Sequence, residues 1–154
     1  MYPSPFIRFG SLHCESEWFE TGYAGGTKGP GIHPALYVAV LAACLWHFRR
    51  TGEPAVVTHL LRSSSEQRRL YPHQPHRRSP HQYGRAADLR TRHLDDSTAE
   101  EWAEWVNRSF DYRGRAGVQT ALYHQVGNHG HHLHLQVGPA EDAPPVPDSF
   151  VLSA

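Results

Sequence analysis

A chain of 154 residues, 39% of them apolar, is long enough to bury a core of its own and too hydrophobic to stay disordered. Its 15 basic and 15 acidic side chains cancel, so no global field drives it onto nucleic acid or an anionic surface. The two cysteines, Cys14 and Cys44, exclude a disulfide framework, and no apolar run is long enough to span a bilayer.

Residues 1–31 are rich in Gly, Pro and aromatic side chains and read as an irregular segment anchored by Phe6, Phe9, Trp18 and Phe19. The glycine-rich stretch from Gly25 to Gly31 lacks the G-K-[ST] ending of a phosphate loop. Met1 to Phe6 shows no basic region leading into an apolar stretch, so no signal peptide is expected.

The first helix is expected from about Pro34 to Arg50, with proline in its first turn and Gly52 as its stop. It is apolar nearly all round, as a buried core helix is. Ala55 to Leu60 is β-branched and reads as a strand. Ser63-Ser64-Ser65-Glu66 is a capping box for a short helix over residues 64–71. Prolines 72, 75 and 80, with Gly84, mark a loop, and Ala86 to Arg90 a strand. Ser97-Thr98-Ala99-Glu100 is a second capping box. It opens a helix running to about Phe110, with Trp102, Trp105 and Val106 on its core face. Val118 to His124 and His131 to Val137 read as a hairpin around Gly127 and Gly130. The tail, residues 138–154, is Pro-rich and acidic and is expected to be loose, leaving residues 1–137 as a single domain. This order predicts an α+β fold, a mainly antiparallel sheet with helices packed on one face and the functional site on the open face.

Histidine is the outlying residue: there are 13, five of them between His124 and His134. On a strand alternate side chains share a face, so His132, His134 and Gln136 point one way while Leu133, Leu135 and Val137 point into the core. Asp88 on a second strand and His81 in the loop before it complete a group of imidazoles around one carboxylate. Taken singly, each of these residues is more often a solvated side chain or an ion-pair partner. Together they offer three N/O ligands and an open fourth position, the catalytic arrangement of zinc rather than the closed structural one.

Residues 79–89 fit the pattern S-x-H-x-x-G-x-A-x-D-L, and residues 132–134 fit H-x-H. Together these motifs resemble the zinc D-alanyl-D-alanine peptidase and hedgehog superfamily, in particular its peptidoglycan enzymes with an H-x-H second motif. The resemblance implies that His81, Asp88 and His134 bind one zinc ion per chain, with His132 beside it. His129 matches a further histidine found three residues before the H-x-H in some members. Other members use a glutamate as general base, but no acidic residue lies between Asp111 and Glu141. Strand alternation favours His132 as the base, with His129 as its competitor, and leaves His131 facing away. Leu61-Arg62-Ser63 with Glu66-Gln67 resembles the segment that precedes the first motif, and makes Arg62 and Gln67 the candidates for substrate binding.

The resemblance implies a metallopeptidase cutting an amide bond in peptidoglycan stem peptides or cross-links, as a D,D-endopeptidase or carboxypeptidase does. Synthesis in the cytoplasm and action on the wall after a separate lysis system, as for a phage endolysin, would fit the missing leader. The alternative is a non-catalytic zinc domain that binds peptide or cell wall. The arginines between Arg68 and Arg92 make a locally basic stretch, but no nucleic-acid motif accompanies it.

Overall fold

The computed structural model describes residues 4–21, 31–112, 115–126 and 130–138. Residues 25–30 of the glycine-rich stretch, the turn residue Gly127 with His129, and the tail beyond Gly138 lie outside them.

The fold is α+β. Among the described residues five strands, β1 (Ile7–Phe9), β2 (Ala55–His59), β3 (Ala86–Arg90), β4 (Ala121–Gln125) and β5 (His131–Gln136), form one sheet in the order β1-β2-β3-β5-β4. All neighbours pair antiparallel except β1, which adds to β2 in parallel. The helices are α1 (Leu12–Ser16), α2 (Pro34–Thr51), α3 (Ser64–Leu70) and α4 (Asp96–Ser109). Helix α2 packs on β1, β2, β3 and β5, while α4 packs on α2 and β4.

One face of the sheet is the core. Val57, Ala87, Leu89, Leu133 and Leu135 meet Leu36, Val40, Ala43 and Cys44 of α2 and Trp102 and Val106 of α4. The Trp102 indole nitrogen donates to the Ala43 carbonyl at 3.0 Å, so this large side chain is buried without an orphaned polar atom. Among the described residues no helix is long and apolar enough to cross a membrane.

Four expectations need correction. The N-terminal segment is not irregular where it is described. It gives β1, α1 and a π-helical turn over Glu17–Thr21, with the Trp18 and Tyr37 rings stacked 3.9 Å apart. A three-residue strand is too short to show a period of two, and β1 exists because its backbone pairs with β2. Second, helix α4 is capped by Asp95, whose carboxylate accepts from the Thr98 amide at 2.7 Å, and Ser97 lies inside its first turn. Third, β4 begins at Ala121 and not at Val118: the Val118 amide closes a turn onto the Arg115 carbonyl, with Gly117 at φ 79°, and is taken from the ladder. Fourth, the loop before β3 contains a 3-10 turn over Pro80–Tyr83.

The β2–β3 ladder is irregular. Val57 faces Leu89, but His59 faces Asp88 and not Ala87, so β2 carries one extra residue, Thr58. The bulge moves His59 off the core side that Val57 occupies and turns it toward Asp88. Thr58 Oγ1 donates to the Asp88 carbonyl at 3.2 Å and holds the irregularity in place.

Candidate metal centre

His81 sits in the 3-10 turn before β3. Ser79 caps that turn and Gly84 ends it at φ 64°. A Cβ at residue 84 would collide with the Gly31 carbonyl, so glycine is required there twice over. His81 Nδ1 lies 2.7 Å from the Leu60 carbonyl. A carbonyl can only accept, so Nδ1 carries the proton and Nε2 keeps its lone pair. Nε2 points to Asp88 Oδ1 at 3.3 Å. A backbone partner that fixes the tautomer is the usual support of a metal-binding histidine.

Asp88 lies mid-strand in β3, between β2 and β5 in the sheet, and faces His134 across the ladder. Its Oδ1 is approached by three imidazole nitrogens: His134 Nδ1 at 2.8 Å, His81 Nε2 at 3.3 Å and His132 Nε2 at 3.5 Å. Burial alone would raise the Asp88 carboxyl, but the close approach of its imidazole neighbours His81 and His134 outweighs it and favours the carboxylate, well below the usual range. Ligand atoms of His81, Asp88 and His134 all lie within 4.8 Å of one another. Neutral imidazoles with one carboxylate are the donors zinc takes at a three-residue site, so these residues fit that ion.

The fold brings together more than these three. His132 and His124 face each other across β5 and β4 with ring centroids 4.9 Å apart, and His124 lies 5.6 Å from the His134 ring. His124, His132 and His134 are a second group whose ligand atoms fall within 4.8 Å. His59 packs edge-on to His81 at 4.9 Å. Burial first, then the neighbouring His81 and Arg62 charges, push the His59 imidazole down to about 3, so it is neutral at physiological pH.

Neither His59 nor His124 was among the residues singled out from the sequence. His124 was within reach, because an antiparallel hairpin that places Leu122 opposite His134 must place His124 opposite His132. His59 was not, because a bulge breaks the alternation by which faces are read. His131 is exposed and lies against Tyr123, ring to ring at 5.2 Å, away from the cluster.

The cluster floors a cleft of about 1130 Å³ that Arg62, Arg77, Arg78, Arg90 and Tyr71 also line. Arg62 Nη1 donates to Gln67 Oε1 at 2.9 Å, and Gln67 Nε2 donates to the Arg77 carbonyl at 3.2 Å. Gln67 is thus a buried brace for Arg62 with both ends of its amide engaged, at the wall of the cleft. Arg62 Nε is buried without a hydrogen-bond partner among the described residues.

Comparison of the chain with family models, with curated proteins and with solved structures returns no match.

Proposed function

We propose that the chain is a zinc metallopeptidase acting on the peptide part of peptidoglycan, of the D,D-endopeptidase or carboxypeptidase type. The observation that carries this reading is the convergence of three imidazole nitrogens on one Asp88 oxygen at the floor of an arginine-lined cleft. The S-x-H-x-x-G-x-A-x-D-L and H-x-H motifs support the family resemblance independently of that geometry.

His81, Asp88 and His134 would hold the ion. When bound, zinc supplies Lewis acidity toward a carbonyl oxygen and makes a water near it acidic at neutral pH. His132, whose Nε2 lies 3.5 Å from the same Asp88 oxygen, would be the group that takes a proton from the attacking water and returns it to the leaving amine. Arg62, steadied by Gln67, offers a guanidinium to a substrate carboxylate, a group that stem peptides present repeatedly. His81 is kept in one tautomer by Leu60.

Purified protein should carry one zinc per chain by elemental analysis, and His81→Ala, Asp88→Ala and His134→Ala should each lose most of it. Incubated with purified muropeptides, the loaded protein should release fragments with new amino groups, detected by mass spectrometry. New reducing ends without new amino groups would replace the peptidase with a glycosidase. Zinc-dependent binding of muropeptide without cleavage would replace it with a non-catalytic domain.

A further inference from the structure

The proposed zinc ligands leave part of the cluster unused. His124 and His132 stand directly opposite each other on neighbouring strands, and His134 lies diagonally beside them. Three imidazoles with donor atoms within 4.8 Å make an all-nitrogen set on the cleft side of β4 and β5. His124 Nε2 is buried and has no hydrogen-bond partner among the described residues. Ring packing alone gives no reason for three adjacent nitrogen donors with one orphaned: a buried imidazole nitrogen without a partner is costly, and a cation is a partner that suits it.

We propose that His124 and His132, with His134 adjoining, form a second position for a borderline divalent transition metal such as Zn²⁺, Ni²⁺ or Cu²⁺. Imidazole-only donors select these ions over Mg²⁺ and Ca²⁺, which take oxygen. His134 belongs to both groups, so when both positions fill, the second ion relies on His124 and His132 and is held more weakly than the first. A second ion also engages His132, so surplus metal should inhibit turnover. That one consequence rests on the peptidase reading, whereas the binding position itself does not.

The test is a zinc titration by calorimetry, paired with elemental analysis after dialysis, on the full chain and on His81→Ala, His124→Ala and His124→Gln. Circular dichroism melts establish that each variant is folded. The full chain should bind two zinc ions of unequal affinity. Both His124 variants should lose the weaker class and keep the tighter one. Removing a direct ligand should cost more than the roughly 10- to 100-fold lost with a supporting partner. His81→Ala should weaken the tight class and leave a zinc ion that depends on His124. A weaker class that persists unchanged in both His124 variants overturns the proposal, as does a full chain that takes a single zinc under a large excess. A His124-dependent zinc in a protein whose other binding is indifferent to His81 would support this position while removing the first site.

Discussion

Asp88 is one carboxylate among imidazoles, and each imidazole around it holds a different position. His81 is fixed from behind by the Leu60 carbonyl, whereas His132 lies two residues along β5 from His134, the proposed ligand. Replacing His132 by Ala should therefore leave stoichiometric zinc in place while kcat falls by roughly a hundredfold or more, the usual cost of losing a general base. His131→Ala, whose side chain lies against Tyr123, should stay near the parent rate. Steady-state kinetics with elemental analysis on the same samples check both. Normal turnover by His132→Ala would move the role to another histidine, His129 being the first to try. At this scale the sequence was most readable where a residue's face follows from simple alternation, as for His132 and His134. It was least readable where a side chain is turned by a neighbour. The imidazole of His59 meets the cluster only because Thr58 is extra, and the amide of Gln67 is taken up by Arg62 and Arg77.

Among the elements, α2 was legible as a long apolar run between Pro34 and Gly52, and α4 by the helical spacing of Trp102, Trp105 and Val106. Asp95 starts α4, although Ser97 heads a capping-box pattern two residues later. Asp95→Ala should lower the thermal midpoint by a few degrees and Ser97→Ala should barely change it, as calorimetry would show. His47 near the C-terminal end of α2 forms a further histidine pair with His93, neither of which lines the cleft. Buried His47 directs Nδ1 to the Glu53 carbonyl at 3.0 Å and Nε2 to His93 Nε2 at 2.8 Å. Nδ1 must donate, and in the neutral His47 ring Nε2 then accepts from His93. Burial lowers its proton affinity, and the His93 charge adds to that, against the raising influence of Glu53. Burial first, then the Arg90 and Arg92 charges, lower His93 in the same direction. A histidine depressed in the folded state takes up its proton more readily when unfolded. Its contribution is therefore complete above the unfolded value of 6.5 and declines as pH falls below it. Urea unfolding at pH 7.5 and pH 5.5 should show a smaller loss of stability for His47→Gln than for the parent. An equal or larger loss would mean that His47 is not a source of the acid sensitivity.

For the molecule as a whole, the class of fold was legible and the edge of the sheet was not. The order of helices and strands points to an α+β domain, but β1 owes its existence to pairing with a strand 48 residues later, Ile7 opposite Ala55, which no local window contains. The site has the same long-range character, since Asp88 and His134 are 46 residues apart and meet only when β3 and β5 are zipped together. The turn that carries His81 is tied down from three sides. Its own ring bonds to Leu60, its carbonyl accepts from the Arg62 amide at 3.1 Å, and the Gly84 carbonyl accepts from the His33 amide at 2.9 Å, at the entry to α2. Withdrawing His81 therefore means loosening β2, the segment before α3 and the start of the core helix together. The consequence concerns time rather than affinity. An ion held by His81 should leave at the rate of that local opening, not at the rate at which a chelator arrives. Stripping of zinc, followed with a chromogenic chelator, should proceed at a rate that stops rising with chelator concentration. Gly84→Ala, which breaks the close approach to Gly31, should make the ion escape faster in whatever fraction still folds.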